Sequence, residues 1–385
     1  MHLLNWSKMK YTMNNVTSES LEVSHNEKSG RGDFLLLFSV LVLSLVGLVF
    51  VYSASRYNAS VTYGDEFYVV KKHAVGLCMG YGALIFGIFF DYRRYRKIGL
   101  WLVAASVILL SLVFTPLGFE NYGAKRWIRV AGITVQPSEI AKICYVIFVA
   151  GYFSKNPERT KTILGVLPVI LGGGIICLLI ILEPNMSITV CFGALTLLLM
   201  FVSGTKAGIT ACIVIPAVCA VPLLIIAEPY RLNRLSAFLN PWASPKGEGY
   251  QLLQSLYALG SGGWFGVGLF GSRQKFRFLP FSESDFILAV IGEEVGFIGL
   301  AALFMLILFI VVRGIKIAVN CKDFFGFILA MGITGIFGIQ SLVNALVVTG
   351  SIPPTGLPLP LVSAGNTSLI VFLFSFGILF NISRK

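Results

Sequence analysis

A chain that repeats nearly uncharged apolar runs has few folds open to it. A helix rises 1.5 Å per residue, so about 20 residues cross the hydrocarbon core of a bilayer. Only helices and closed barrels satisfy their own backbone there. Ten such runs are readable: 34–53, 73–90, 98–114, 138–153, 163–182, 187–202, 207–227, 285–312, 324–348 and 357–382. Pro184, in the turn 183–185, divides what could pass as one long run into two helices. The charged fraction is 12% and the apolar fraction 56%. Soluble domains carry about twice that share of charge. The expectation is an all-α integral membrane protein with about ten transmembrane helices.

Charge sets the orientation. Lys8, Lys10, Lys28 and Arg31 precede the first run. Arg93, Arg94, Arg96 and Lys97 follow the second, and Lys155, Arg159 and Lys161 the fourth. Lys206 follows the sixth, Arg313 and Lys316 the eighth, and Arg384 and Lys385 end the chain. With ten crossings all of these fall on one side, which the positive-inside rule makes cytoplasmic, both termini included. Arg56, Lys71 and Lys72 run against the rule, partly balanced by Asp65 and Glu66. Residues 1–33 read as a polar cytoplasmic tail with the composition of a disordered segment, and residues 34–385 as one membrane domain. Two long loops then lie outside, 115–137 and 228–284, the second between helices seven and eight. Their Trp, Tyr, Phe and Gly content suits order against the membrane surface.

Several classes fall away. The formal net charge of +12 belongs to cytoplasmic loops, so nucleic acid is not an expected partner. The seven cysteines are scattered and the three histidines form no cluster, so a zinc enzyme is improbable. The tail lacks the short apolar core and small-residue cleavage site of a signal peptide. No internal repeat stands out, which counts weakly against a transporter.

The chemistry-bearing residues gather in the outer loops and at span mouths. Asp285 opens the eighth run, and Glu293 and Glu294 lie within it. Asp285 and Glu293 are eight residues apart, about 12 Å along a helix, so that helix alone builds no carboxylate pair. Asp285 is expected to act alone as a base, with the two glutamates satisfied by neighbouring helices. Lys125, Arg126 and Trp127 sit in the first outer loop; Glu139 and Lys142 follow one turn apart, spaced to pair. Such a pair at membrane depth is either functional or a structural tie. In the second loop come Arg231 and Arg234, then an amphipathic piece with Gln254 and Ser255, then five glycines between 260 and 268. These glycines either let backbone approach a ligand or only shape the loop. Arg273, Lys275 and Arg277 form a basic cluster suited to an anionic group such as pyrophosphate, or to anionic lipid heads. Four prolines between 353 and 360 break helix near the outer surface, with Ser363 and Asn366 beyond them. Irregular backbone at that depth needs burial in protein or a cavity to line.

The segments GAKRWI, QPSEIAK, RLSAFLNPW, GEGYQLLQSLYALGSGGWFGVGL, the FLP and SDFILAVIGEE pieces, and TGLPLPLVS together resemble the SEDS family (shape, elongation, division and sporulation). The resemblance covers all but the tail, and favours the division-specific branch over the elongation branch. It implies a peptidoglycan glycosyltransferase at the division septum, polymerising lipid II on the outer face of the cytoplasmic membrane. It also implies a class B penicillin-binding transpeptidase as partner, beside other division proteins. Asp285 matches the family's catalytic aspartate. Trp127, Glu139, Lys142 and Ser363 match further motif positions, and these four with Lys125, Arg126, Arg231, Gln254, Ser255, Arg273 and Lys275 are the expected substrate-binding residues. The sequence departs from the family pattern at Phe281, Glu183, Asn185, Asn240, Ala364 and Asn366, several of them acids elsewhere. That weakens any metal site built on those acids.

The expected mechanism makes Asp285 the general base toward the 4-hydroxyl of the acceptor sugar. Burial would raise its pKa and Lys142 would lower it. Basic side chains of the outer loops, or a divalent cation (Mg or Mn), would stabilise the departing undecaprenyl pyrophosphate. The rival readings are a lipid II flippase, which needs a polar path through the bilayer, and a non-catalytic division scaffold.

Overall fold

The computed structural model describes residues 32–385 apart from 122–123, 131–132 and 227–228. Residues 1–31 of the tail therefore lie outside the described residues. A helix lies in each of the ten apolar runs, although residues 357–365 of the last run are not helical: α1 Phe34–Tyr63, α2 Tyr68–Phe89, α3 Tyr95–Leu112, α4 Pro137–Lys155, α5 Ile163–Leu182, α6 Met186–Val202, α7 Ala207–Ile226, α10 Ile287–Asn320, α11 Phe324–Val348 and α12 Asn366–Ser383. The second outer loop adds α8 Pro229–Leu239 and α9 Tyr250–Gly262. Among the described residues seven helices are long and apolar enough to cross a membrane. α4 carries Glu139, Lys142 and Lys155, and α6 is short. The count of ten crossings stays an expectation.

One element is not helical. The first outer loop forms an antiparallel sheet in the order β1 Gly118–Asn121, β2 Ala124–Val130, β3 Ile133–Val135. Trp127 pairs with Phe119, and Ile128 with both Gly118 and Val135.

The ion pairs and hydrogen bonds between distant segments sort into two faces. On one, Arg313 pairs with Asp33 at 2.7 Å, Lys385 pairs with Asp91 at 2.5 Å, and the Asp33 amide donates to Ser383 Oγ. On the other, the Gln136 amide donates to Thr367 Oγ1, Arg234 donates to the Pro354 carbonyl, and Asn366 donates to the Lys72 carbonyl. The first face holds the start of α1, the loop after α2 and the chain end, as the charge pattern requires of the cytoplasmic side. The second is the outer face.

Small residues set how closely the helices approach. A Cβ on Gly87 would lie 2.8 Å from the Phe374 carbonyl, and one on Gly377 2.3 Å from that of Leu84. α2 and α12 thus touch backbone to backbone, which lipid-phase packing favours. α4 lies at the centre, buried along nearly its whole length against α3, α11 and α12.

α10 differs from the expected span. It starts at Ile287 rather than at residue 285, and it is broken at Gly296, whose φ is 65° and ψ −169°. The glycine-rich segment after α9 fills the break. Val267 and Gly268 amides donate to the carbonyls of Glu293 and Glu294 at 2.9 and 3.1 Å, and Phe297 and Ile298 amides donate to those of Gly263 and Trp264 at 2.9 and 3.2 Å. A broken helix must satisfy its freed groups inside the protein. A Cβ on Gly266 would lie 2.2 Å from the Glu294 carbonyl. These glycines serve the helix break.

Candidate active site

Asp285 stands two residues ahead of α10, half-buried, in the segment 283–285. Three consecutive carbonyls there are each held by the proline-rich segment or its support. The Ala364 amide donates to the Glu283 carbonyl at 2.9 Å, Ser363 Oγ to that of Ser284 at 2.6 Å, and Asn344 Nδ2 to that of Asp285 at 2.9 Å. Asn344 also donates to the Leu357 carbonyl at 2.7 Å, and Gln340, one turn earlier on α11, to that of Pro358 at 3.0 Å. The backbone beneath Asp285 is thereby fixed. Its carboxylate faces Gly356, where a Cβ would lie 3.3 Å from Oδ2 at φ 64°.

The electrostatics follow from burial against two arginines. Loss of water pushes the Asp285 carboxyl up to about 6; Arg126 and then Arg234 hold it down, and Glu283 pushes it up. Lys142 is absent from these causes, which corrects the expectation that it would tune Asp285. A pKa near 6 leaves the group ionised at neutral pH and more basic than an ordinary aspartate, as a general base requires. Arg126, on β2, donates to the carbonyls of Glu183 and Pro184 beyond the end of α5. Arg234, on α8, donates to the Pro354 carbonyl at 3.1 Å and lines a small cavity with Phe238, Glu248, Gln251, Leu252 and Pro354. Two elements of the outer loops thus bring cations toward one carboxylate.

The other expected site residues divide. Trp127 and Lys125 share β2 with Arg126; Trp127 is half-buried and Lys125 exposed. Ser363 acts through the backbone ahead of Asp285. Glu139 and Lys142 are 0% and 2% exposed and pair at 2.8 Å, and Lys142 also donates to Gln340 at 2.6 Å. This is the structural tie of the two readings offered for them, one that supports Gln340 under the proline-rich segment. Ser255 is buried and donates to the Val348 carbonyl at 2.8 Å, and Gln254 is half-buried on α9. Lys275 is buried against Glu294 at 2.9 Å, with further bonds to Ser53 and the Phe270 carbonyl, so its ammonium does not meet an outer anion. Arg273 is exposed, and its amide with that of Gln274 and Ser272 Oγ satisfies the Glu293 carboxylate. The loop 272–275, more than any neighbouring helix, satisfies the two glutamates; Ser53 of α1 adds a bond to Glu294. The Arg231 side chain lies outside the described residues.

Reading by motif missed Arg234 as a partner of Asp285, and Asn344 and Gln340 as its support. The last two had a signal: a carboxamide in an apolar span is costly unless bonded, and two at one-turn spacing mark one polar face. Among the described residues no group of three or more His, Cys, Asp or Glu could hold a metal ion. The charged groups acting at Asp285, its own carboxyl, that of Glu283 and two arginines, fall short of the three or more ligands of a resident divalent ion and set cations beside it, and no step is routed through one.

The fold and site define a polytopic membrane protein that holds at its outer face one carboxylate raised by burial and lowered by two arginines. The chain belongs to the cell cycle protein family of FtsW, RodA and SpoVE, whose sequence model matches residues 33–385. A relative from Geobacter metallireducens, named probable peptidoglycan glycosyltransferase FtsW, is 37% identical over 92% of this chain and 95% of its own. Stage V sporulation protein E of Bacillus subtilis is 36% identical over 93% and 98%. Among solved structures, a chain of a peptidoglycan synthase complex described as coordinating polymerization and crosslinking superposes with a TM-score of 0.76 at 27% identity, covering 92% of this chain and 98% of that one. The rod shape determining protein RodA of Thermus thermophilus superposes at 0.68 with 25% identity, covering 92% and 97%.

Proposed function

We propose that this chain is a peptidoglycan glycosyltransferase that polymerises lipid II on the outer face of the cytoplasmic membrane, and that Asp285 is its general base. The observation that carries the reading is the half-buried Asp285 carboxyl, gripped through its backbone and raised by burial to about 6 against the pull of Arg126 and Arg234. Asp285 takes the proton of the acceptor 4-hydroxyl. The oxygen bonds to the anomeric carbon of the growing chain as the bond from that carbon to the diphosphate oxygen breaks. The diphosphate leaves with the electron pair, its charge met by the arginines, and the proton passes from Asp285 to solvent. Such a base contributes about 10²–10⁴-fold in rate. Family membership and relatives carrying the glycosyltransferase name support this activity over a flippase or a scaffold. The likeness to a chain from a complex that also crosslinks supports a crosslinking partner; we take that partner to be a class B penicillin-binding transpeptidase and the place of work to be the septum.

The test is polymerisation of labelled lipid II by the purified protein with its transpeptidase. Wild type is expected to make glycan strands and Asp285→Asn to make none above background. Wild-type rates from a folded, partnered Asp285→Asn protein overturn the assignment. Lipid translocation into sealed vesicles without glycan product favours the flippase.

A further inference from the structure

Glu183 is a carboxyl that the mechanism above does not use. It caps the end of α5 at the outer face and is 1% exposed, and neither carboxyl oxygen has a hydrogen-bond partner. Burial without partners is expensive for a carboxylate and much cheaper for the neutral acid. Yet an arginine is at hand. Arg126 donates Nε to the Glu183 main-chain carbonyl at 3.2 Å and Nη2 to that of Pro184, while the carboxyl itself goes unbonded. The same Arg126 acts on Asp285. Around Glu183 the turn supplies Asn185 and Ser187, and Ser187 bonds to the Thr355 carbonyl next to Gly356, which borders Asp285. Thr355 Oγ1 is likewise buried without a partner. Of the described charged groups, Arg126 on β2 is the one that acts on Glu183; Asn185, Ser187 and Thr355 are neutral.

We propose that Glu183 is a positioning residue for the transfer, working in its protonated form so that Arg126 stays on the main-chain carbonyls that aim it and its charge toward Asp285 and the diphosphate of the substrate is not offset. The role rests on the glycosyltransferase reading above. Ionised, Glu183 would put a second negative charge behind Arg126 and draw the guanidinium from the main-chain carbonyls that aim it. Burial pushes the Glu183 carboxyl up to about 8, against the pull of Arg126, so the neutral form holds through pH 7.

The experiment is the pH profile of lipid II polymerisation from pH 5 to 9.5, each protein scaled to its own maximum. Wild type should rise through about pH 6 as Asp285 ionises and fall through about pH 8 as Glu183 does. Glu183→Gln, which keeps shape and cannot ionise, should keep the rise and lose the fall, as should Glu183→Ala. At pH 9 the scaled rates of wild type and Glu183→Gln should differ about tenfold. A wild-type profile without a fall below pH 9 overturns the inference with no variant needed. A fall that persists unchanged in Glu183→Gln or Glu183→Ala overturns it too. Absence of polymerisation by wild type at every pH instead sinks the glycosyltransferase reading.

Discussion

Asp285→Asn should stop catalysis and stabilise the protein, and the second effect depends on pH in a way that can be calculated. The ordinary aspartate value is 3.8 and the folded value about 6. The folded state therefore binds the proton more tightly than the unfolded one. Wild-type stability is fully present below pH 3.8, declines as pH rises to about 6, and is level above it. A displacement of this size corresponds to about 3 kcal/mol, and the part of Asp285 that stays in water reduces it to about 1–3 kcal/mol. Asparagine has nearly the same shape and no charge to desolvate. The variant should match wild type near pH 3 and exceed it at pH 7.5, by on the order of a few degrees in midpoint. Thermal unfolding in detergent at the two pH values, followed by intrinsic fluorescence, measures the difference. In the polymerisation assay the same preparation should lose about 10²–10⁴-fold. Equal midpoints at both pH values, or a variant less stable at pH 7.5, would refute the claim that burial dominates at this carboxylate.

Three further outcomes follow from the contacts. Lys275→Met strands Glu294 as a buried charge and should cost about 3–5 kcal/mol, most of it regained in Lys275→Met with Glu294→Gln; midpoints of the single and double variants decide. Gly266→Ala puts a methyl on backbone at φ 80° and against the Glu294 carbonyl, so monodisperse protein in size-exclusion chromatography should fall sharply. Glu283→Gln removes a charge that raises Asp285 and should move the acid limb of the pH profile below 6, whereas Arg234→Ala removes one that lowers it and should move that limb above 6. Shifts in the same direction for both would contradict the arrangement of charges.

Much of the fold was legible because lipid imposes length and apolarity on every span. Each of the ten runs holds a helix, the last only from Asn366, and the two faces sort as the lysine and arginine pattern required. The importance of Asp285 was legible because a carboxylate beside a span is costly to keep. Its surroundings were not. Lys275 looked like a cation for an outer anion, yet the loop doubles back to place it on Glu294, nineteen residues on. The glycines between 260 and 268 looked like a ligand cradle, and pairing with a helix break at Gly296 is a long-range backbone match without a local signature. The cations that do meet Asp285 come from β2 and α8, elements more than fifty residues away in sequence, and spacing does not encode that meeting.

The placement of Asp285 just off its helix carries a mechanical consequence. On the helix its carbonyl would bond within α10. Ahead of the helix, the carbonyls of 283, 284 and 285 are open to be held by Ala364, Ser363 and Asn344. The segment that follows α11 therefore grips the base through its backbone, and leaves the carboxylate to face Gly356 and the arginines. Asn344 binds both that segment and Asp285, while Lys142 and Glu139 hold Gln340 one turn away. The buried Glu139–Lys142 pair, costly in apolar surroundings, thus supports the floor of the site without touching it. Lys142, Gln340 and Asn344, polar groups in the spans, are placed to fix a loop, and the loop fixes the base. An apolar substitute for the pair that preserved packing would keep the helices together and still release the backbone on which Asp285 depends.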